Sequence, residues 1–481
     1  MKVLSVVSEF YPLIKTGGLA DVAGSLPKAL RPFGIETFTL LPAYPPLRHL
    51  LETGHKVASF QHLLGHKAEI YRNGNILLLH IPRLFDREGS PYRDCHGMDF
   101  GDNWLRFAVL SLAGAELASD GTVIDVDLVH VHDWQAALLP VYLRYRFASA
   151  MPVLLTIHNL AFQGQFDWSI MPHLGLPETA FGYDCLEYYG GIGFLKGGIQ
   201  CSNAISTVSP TYAREILSTD HGMGLDGLLH QRRSVLHGIV NGVDVDTWSP
   251  DADPLLVKSY NHRSLGRRDA NRAALLRHFG LEDLGGPVFA VLSRLTWQKG
   301  SDLLPEVVDE IFSHGGQLVV RGQGDREIEA ALTARAARDS RQMAVHIGYD
   351  EPSAHLILGG ADILMQPSRF EPCGLTQLYA MRYGAVPLVA RTGGLSETII
   401  DANDAARDVA TGFQFHPIDP HNLRLAIARA CHAYKRKATW RSLQKEAMKT
   451  NFSWDRSARR YAELYRSLCA GQQTRRTASG R

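Results

Sequence analysis

The sequence lacks the marks of a disulfide-bonded, membrane-spanning or nucleic-acid-binding protein. Its six cysteines are scattered without a C-x-x-C pair, which excludes a disulfide framework and a cysteine-based zinc site. No apolar run approaches the ~18 residues that a membrane-spanning helix needs, and the apolar stretch at residues 3–7 is too short for a signal peptide. Lysine and arginine number 50 against 49 aspartates and glutamates, so bulk charge does not draw the chain to nucleic acid or membranes. We therefore expect a soluble, cytoplasmic protein.

Short apolar runs alternate with helix-length segments along the whole chain. Such runs stand at residues 3–7, 35–41, 128–131 and 153–157, and again at residues 288–292, 317–321, 363–366 and 386–390. They are continuous, which is typical of parallel strands covered by helices on both faces. Because 481 residues can bury two cores, the pattern predicts an α/β fold with two doubly wound, Rossmann-like domains.

A turn-rich segment marks the boundary between the two domains. Asn241-Gly242 and the prolines Pro250 and Pro254 interrupt the periodic pattern there. We therefore predict an N-terminal domain over residues 1–243 and a C-terminal domain over residues 244–455.

The end of the chain, residues 456–481, predicts one further helix and a tail. Apolar residues recur every three or four positions, at Trp454, Ala458, Tyr461, Tyr465 and Leu468. This spacing places them on one helical face, which needs a surface to cover. Residues 471–481 carry three arginines and no apolar cluster, so we expect a tail from Gly471 onward.

Two loops at predicted strand ends carry cations beside glycine. Lys15 precedes Gly18 where a helix should begin, and the unpaired N–H groups of a helix start favour an anion. Arg294 and Lys299 share a second loop, where they could converge on one diphosphate and stabilise a leaving group. Each loop alone also fits an ordinary glycine-rich turn or a solvated loop.

A third loop combines an acid with a helix start. Glu371 is followed by Gly374, Leu375 and Thr376, whose N–H groups would point at a phosphate, while the carboxylate could bind sugar hydroxyls. Glu371 could equally be a first-turn acid that is favourable to the helix dipole.

Histidines and aspartates near strand ends could be interpreted as a metal site. His130 and His132 share one strand, followed by Asp133, and Asp125 and Asp127 precede it. A zinc site would need further ligands and side chains that hydrogen-bond to those ligands. Aspartates are common in turns. We therefore expect these residues to be structural and no metal to bind. Taken together, the two cation loops, the Glu371 loop and the histidine-rich segments at the ends of two strands are predicted to face a cleft between the two domains, because open α/β sheets bind ligands at the carboxyl ends of their strands.

Six motifs together resemble bacterial glycogen synthases and the related plant starch synthases. They are K-T-G-G-L-A-D-V at 15–22, H-D-W at 132–134, T-I-H-N-L-A-F-Q-G at 156–164, N-G-V-D at 241–244, S-R-L-T-W-Q-K-G at 293–300 and E-P-C-G-L-T-Q-L-Y-A-M-R-Y-G at 371–384. The resemblance spans essentially the whole chain. It implies the GT-B architecture and a retaining glucosyltransferase that moves glucose from ADP-glucose to the non-reducing end of an α-1,4-glucan, without a metal or other cofactor. Tyr379 stands where the wider group often has a second glutamate, and tyrosine there is usual in glycogen and starch synthases.

The resemblance also implies a role for each matching residue. Lys15, Arg294 and Lys299 would bind the donor phosphates, Glu371 would hold the glucose hydroxyls, and His158 would line the donor sugar with its backbone carbonyl near the anomeric centre. These five form the implied catalytic set. Further donor contacts are implied for Gly18, Asn241, Tyr349 (stacked on adenine), Gly374, Leu375 and Thr376, and a place in the same cleft for Asp133 and Asn159. The N-terminal domain would carry the glucan and the C-terminal domain the donor.

Two other functions fit the same fold. A sugar-nucleotide 2-epimerase would need no polymer acceptor and would release a changed donor sugar. A non-catalytic glucan- or nucleotide-binding protein is disfavoured by the intact catalytic set. The residues leave open the choice between ADP-glucose and UDP-glucose, the oligomeric state, allosteric control, and front-face attack against a covalent intermediate; with no carboxylate placed as an obvious nucleophile, we favour front-face attack.

Overall fold

The computed structural model describes residues 1–403 and 408–479 and divides the chain into two compact units. Unit 1 comprises Met1–Gly242 and Trp454–Arg481, and unit 2 comprises Val243–Ser453. Trp454 and Asp455 therefore belong to unit 1, whereas the sequence placed them in the C-terminal domain. The reason is local packing: a Cβ at Gly242 would lie 2.6 Å from the Trp454 backbone, so the start of the last helix is pressed against the end of the first segment.

The described residues of unit 1 form a nine-stranded sheet and a small three-stranded one. The strands are β1 (Lys2–Val6), β2 (Glu36–Pro42), β3 (His55–Leu63), β4 (His66–Asn73), β5 (Ile76–His80), β6 (Leu128–His132), β7 (Val153–Ile157), β8 (Gln165–Phe166), β9 (Glu187–Tyr188), β10 (Gly191–Gly193), β11 (Ala204–Thr207) and β12 (Leu236–Gly238). The large sheet has the order β12-β11-β7-β6-β1-β2-β5-β4-β3, parallel except for β4, which runs antiparallel to both β3 and β5. The carboxyl ends of β1, β6 and β7 are therefore neighbours.

Helices cover both faces of this sheet. They are α1 (Gly18–Leu30), α2 (Arg48–Thr53), α3 (Pro82–Phe85), α4 (Asn103–Asp120), α5 (Asp133–Ala136), α6 (Leu138–Tyr145), α7 (Phe194–Cys201), α8 (Pro210–Glu215) and α9 (Asp226–Gln231). Val3 and Leu128 pack in a core with α1 on one face, and Leu4 and Val129 pack in a core with α4 on the other. A strand buried on both faces reads as a continuous apolar run, which is why these strands were predictable.

Unit 2 is a second doubly wound unit. Its strands are β13 (Val288–Leu292), β14 (Gln317–Gly322), β15 (Met343–Ile347), β16 (Ile363–Gln366), β17 (Val386–Ala390) and β18 (Phe413–Phe415). Its helices are α10 (Arg268–His278), α11 (Leu304–Ser313), α12 (Arg326–Arg338), α13 (Glu351–Gly360), α14 (Thr376–Tyr383), α15 (Gly393–Thr398), α16 (Pro420–Lys435) and α17 (Lys437–Lys449). The six-stranded sheet is wholly parallel, in the order β15-β14-β13-β16-β17-β18, so the loops after β13 and β16 are adjacent. The predicted α/β class with two doubly wound units is confirmed.

The last helix, α18 (Trp454–Ser479), packs on the core of unit 1 beside α1. Trp454, Ala458, Tyr461 and Tyr465 are buried there, which confirms the predicted apolar face. The predicted tail is wrong as far as Ser479: the helix continues through Gly471, because the glutamines, arginines and alanine that follow are good or tolerable helix formers and no proline interrupts them. None of the described helices combines the length and apolar character needed to cross a membrane.

Candidate active site

The Lys15 loop, which joins β1 to α1, is organised by a buried carboxylate. Glu9 accepts hydrogen bonds from the backbone N–H and hydroxyl of Thr16 and from the hydroxyl of Tyr92, and its Oε2 lies 3.1 Å from the N–H of Gly17. Burial and the neighbouring Glu9 carboxylate raise the pKa of Tyr92 well above its usual range, so its hydroxyl keeps its proton. Glu9 and Tyr92 were not predicted from the sequence, since they lie 83 residues apart and neither belongs to a recognisable motif.

Lys15 itself projects from this fixed loop. Its Nζ lies 2.9 Å from Oδ1 of Asp21 and 5.0 Å from the centre of the Tyr11 ring. Gly18 opens α1, and the preceding Gly17 contributes no side-chain cap, so the first N–H groups of the helix are left for another acceptor. The loop therefore offers a lysine and a helix start together, as predicted.

Asp133 connects the ends of β6 and β7. It adopts a left-handed backbone with φ of 52°. Its Oδ1 accepts the N–H of His158 at 2.6 Å and that of Asn159 at 3.4 Å. Burial raises the pKa of this carboxyl to about 7, although the two backbone hydrogen bonds act in the opposite direction. Asp133 thus fixes the backbone at the residue implied to line the donor sugar.

The histidines of β6 and β7 are buried and uncharged. Burial lowers the pKa of His130 and of His158 to about 3, and that of His132 well below its usual range. Asp127 accepts the N–H of Lys2 at 2.7 Å, which is a structural role. Among residues 1–403 and 408–479, no three histidine, cysteine, aspartate or glutamate side chains are grouped as metal ligands.

Asn241 lies just after β12, at the far end of the same sheet. Its side chain is buried, and its Oδ1 has no hydrogen-bond partner among the described residues. Burying an acceptor without a hydrogen-bond partner costs free energy. The Asn241 side chain is therefore suited to accept a hydrogen bond from a group outside the described residues.

In unit 2 the loops after β13 and β16 meet at a short ion pair. Lys299 Nζ lies 2.5 Å from Oε2 of Glu371, and only 17% and 6% of these side chains is exposed. Ser368 Oγ donates to the same carboxylate oxygen at 3.0 Å. Arg294 lies on the same loop as Lys299 and is more exposed, with Nη2 3.2 Å from Oε1 of Gln298. The structure therefore brings together three of the predicted catalytic residues.

A second contact clasps the same two loops. The guanidinium of Arg369 forms a bidentate ion pair with Asp302, at 2.7 Å to each carboxylate oxygen, and donates to the carbonyl of Trp297 at 2.6 Å. It also lies 4.5 Å from the centre of the Trp297 ring. The backbone N–H of Arg369 donates to the Gln298 carbonyl at 2.9 Å. Sequence reasoning missed this clasp, because no motif links positions so far apart.

The helix start after Glu371 is also shaped for an acceptor. Gly374 has φ of 72°, a conformation that suits glycine, and a Cβ there would lie 2.4 Å from the Gln377 side chain. No side chain caps α14 at Leu375, so the N–H groups at Leu375 and Thr376 lack an intrahelical partner. These residues follow Glu371 closely in the chain, so the uncapped helix start is near the carboxylate that pairs with Lys299.

Two tyrosines stand apart from this cluster. Tyr349 follows β15, is 52% exposed, and its hydroxyl donates to Glu351. β14 lies between β15 and β13 in the sheet. The loop of Tyr349 is therefore at the same edge of the sheet as the loop of Lys299, but is not adjacent to the Lys299–Glu371 pair. Tyr379 is buried and stacks on Trp248 with ring centres 4.0 Å apart. Its role is therefore packing within unit 2.

Comparisons with known proteins show which family the chain is similar to. Residues 2–231 match the starch synthase catalytic domain model, and residues 276–446 match the glycosyl transferases group 1 model. Glycogen synthase 1 of Rhizobium meliloti (strain 1021) is 53% identical over 478 residues, covering 98% of this chain and all of that protein. The glycogen synthase of Rhizobium rhizogenes is 52% identical over 475 residues, covering 97% and 99%.

Solved structures give the same result. The catalytic domain of Starch Synthase IV from Arabidopsis thaliana, bound to ADP and acarbose, is 29% identical with a TM-score of 0.87 and covers 98% of this chain and 99% of that one. Sucrose-phosphate synthase from Thermosynechococcus elongatus, at 16% identity with a TM-score of 0.60 and coverage of 98% and 99%, shares the fold. With half of its residues identical to glycogen synthases along nearly the full length, the chain belongs to the glycogen and starch synthase family of GT-B glycosyltransferases and is a glucan-elongating glucosyltransferase.

Proposed function

We propose that the glucosyl donor is ADP-glucose and that the acceptor is the non-reducing end of an α-1,4-glucan. The observation that carries the proposal is the convergence of Lys299, Glu371 and Arg294 beside the uncapped start of α14. Cations and free N–H groups suit a diphosphate, and a carboxylate suits sugar hydroxyls. Support for the nucleotide comes from the starch synthase relative, whose structure holds ADP and acarbose.

The proposed mechanism follows from where charge develops. When the bond between the glucosyl C1 and the phosphate oxygen breaks, negative charge accumulates on ADP and positive character on the sugar. Lys299 and Arg294 stabilise the diphosphate, and Lys15 is the cation that unit 1 contributes. Glu371 orients the sugar hydroxyls, while the backbone at His158, fixed by Asp133, lines the reacting carbon.

We propose retention by front-face attack. The acceptor 4-hydroxyl attacks C1 from the side on which ADP leaves, the C1–O4 bond forms as the C1–phosphate bond breaks, and the hydroxyl proton passes to the departing phosphate oxygen. The carboxylates implied in the site are already engaged: Glu371 by Lys299 and Ser368, and Asp133 by two N–H groups. Glu371 is therefore placed to hold the sugar and Asp133 to hold the backbone of His158, rather than to attack the glucosyl carbon.

We further propose that no metal takes part, because the fixed cations supply the charge that a divalent ion would otherwise provide. Excess EDTA should leave the rate unchanged. Activity that is abolished by EDTA and restored by a divalent ion would contradict this part of the proposal.

The deciding experiment supplies radiolabelled ADP-glucose or UDP-glucose together with glycogen and measures label in precipitated polymer. The proposal predicts incorporation from ADP-glucose, with release of ADP in equal amount. Preferential incorporation from UDP-glucose would refute the donor assignment. Consumption of donor without labelled polymer, and with a changed donor sugar, would instead indicate the 2-epimerase alternative.

A further inference from the structure

Three buried side chains in unit 1 form a chain of hydrogen bonds that ends at His158. Ser5 Oγ lies 3.2 Å from Nε2 of His132, and Nδ1 of His132 lies 3.0 Å from Nε2 of His158. Ser5 belongs to β1, His132 ends β6, and His158 follows β7, three adjacent parallel strands. All three side chains are buried, so water does not compete for the hydrogen bonds between them.

The two histidines share one proton between facing nitrogens. Both rings are neutral at pH 7, because burial keeps the pKa of His158 at about 3 and that of His132 well below its usual range. A neutral imidazole has one N–H donor and one acceptor nitrogen. Either His132 Nδ1–H donates to His158 Nε2, which places the His158 proton on Nδ1, or His158 Nε2–H donates to His132.

Ser5 decides between these arrangements. Its hydroxyl has no other hydrogen-bond partner within the part of the chain that the structure describes. If His132 Nε2 carried a proton and donated to Ser5, the buried Ser5 hydrogen would lack an acceptor, which is costly. If Ser5 donates to His132 Nε2, the hydrogens of Ser5 and His132 both have partners, and His132 must then donate onward from Nδ1. The remaining hydrogen is on His158 Nδ1, an atom that is not among the fully buried side-chain atoms without a partner.

We propose that Ser5 and His132 are positioning residues that fix His158 as the tautomer protonated on Nδ1. His158 then presents a neutral N–H donor at a constant position, suited to an oxygen acceptor such as a sugar hydroxyl or a phosphate oxygen. The benefit to glucosyl transfer rests on the proposed function, whereas the tautomer itself does not. Asp133 holds the backbone of the same residue at 2.6 Å, so ring and main chain of His158 are fixed separately.

His130 offers a control inside the same cluster. Its ring lies 4.0 Å from that of His132, yet its nitrogens are engaged by Tyr465 OH at 2.8 Å and Thr156 Oγ1 at 2.6 Å. His130 therefore packs against the chain of hydrogen bonds without belonging to it. We therefore expect removal of the Tyr465 hydroxyl to change the hydrogen bonding of His130 and to leave the Ser5–His132–His158 chain intact.

The direct test is nitrogen NMR of the full chain labelled with 15N-histidine, with His158 assigned by the signals lost in His158→Gln. The proposal predicts that Nδ1 of His158 has the shift of a protonated ring nitrogen and Nε2 that of an unprotonated one, at pH 7 and without substrate. The opposite assignment, or an even mixture, would overturn it. Because no substrate is present, this result is separate from whether ADP-glucose is the donor.

Matched variants test the relay. His132→Asn keeps an amide donor near the position of Nδ1, whereas His132→Leu has nearly the same shape without one, and Ser5→Ala removes the initial donor with minimal change of volume. We expect Ser5→Ala and His132→Leu to shift His158 towards mixed tautomers and to lower kcat/KM about 10-fold, the loss of one hydrogen bond of ~1.4 kcal/mol. His132→Asn and the control Tyr465→Phe should retain the tautomer. An unchanged spectrum in folded Ser5→Ala would contradict the assignment of Ser5 as the deciding donor.

Discussion

Lys299 and Glu371 form the shortest link between the two loops of unit 2 that the donor is proposed to meet, with Nζ and Oε2 2.5 Å apart and both side chains largely buried. The lysine charge is thus partly neutralised by the carboxylate proposed to hold the sugar. This arrangement makes binding of the nucleotide and catalysis separable. A variant that removes the carboxylate charge leaves the cation more available to a diphosphate.

We therefore predict opposite effects of Glu371→Gln on binding and turnover. ADP affinity, measured by calorimetry, should rise about fivefold, because a repulsive charge worth ~1 kcal/mol in a water-accessible site is removed. The kcat should nevertheless fall on the order of 100-fold, since the sugar loses its charged acceptor. Glu327→Gln, on the exposed surface of α12, is the control. Weaker ADP binding in Glu371→Gln would contradict the proposed competition for Lys299.

The clasp between Arg369 and Asp302 should matter more for activity than for stability. Its ion pair is partly exposed, so its contribution to the free energy of unfolding is small. It nevertheless fixes the loops that carry Lys299 and Glu371. We expect Arg369→Lys, which cannot form the bidentate pair, to lower kcat/KM about 10-fold with little change in Tm. Arg429→Lys, the control, alters a partly exposed ion pair with Asp401 that has a single contact, and should retain activity. Equal activity of the two variants would contradict the claim that the Arg369–Asp302 pair positions the loops of Lys299 and Glu371.

Asp133 predicts an acid limb in the pH profile. Its carboxyl has a pKa of about 7, so protonation below that pH weakens the acceptor that holds the N–H groups of His158 and Asn159. We expect kcat/KM to fall as the pH drops through about 7. Asp133→Asn keeps an oxygen acceptor that does not titrate, so its profile should lose that limb while its maximum is lower. An unchanged limb in this variant would assign the titration to another group.

The same cluster predicts proton uptake on unfolding. In the folded state His130, His132 and His158 have lowered pKa values, so below pH 6.5 the unfolded chain binds protons that the native state does not, and stability falls as the pH falls. Asp133 acts oppositely between pH 4 and 7, because its folded pKa is raised and its proton is released on unfolding.

At pH 5 these four groups should therefore take up about two protons: three enter the histidines and one leaves Asp133. Calorimetric unfolding in two buffers of different ionisation enthalpy measures the count for the whole chain. His130→Gln should reduce it by about one proton. A count that this variant leaves unchanged would mean that His130 is already protonated in the folded protein.

The sequence predicted the elements whose physical signal is local. Residues 288–292, 363–366 and 386–390 were recognised as strands because burial on both faces makes them uniformly apolar. The antiparallel strands β3 and β4 were missed, since they lie at the sheet edge, are partly exposed, and mix apolar with polar residues. The parallel strands of a sheet all end at the same edge of that sheet. The loops of Lys15 and His158 in unit 1, and those of Lys299 and Glu371 in unit 2, could therefore be placed in advance.

Side-chain pairing could not be read in the same way. The Arg369–Asp302 pair joins positions 67 residues apart, and Ser5 meets His132 across 127 residues. Such contacts depend on strand order and register, which hydrophobic periodicity does not specify. The sequence therefore predicted which side chains of each loop could bind substrate. The contacts that orient those side chains became visible only in the structure.

Fixed cations on this chain are proposed to stabilise the departing ADP, and the Lys299→Ala variant removes one of them. The measurement is transfer of label from saturating ADP-glucose into precipitated glucan, with Lys258→Ala, an exposed lysine of the same unit, as the control. We expect kcat to fall on the order of 100-fold for Lys299→Ala and to be unchanged for the control. Full turnover of Lys299→Ala at saturating donor would contradict the proposal.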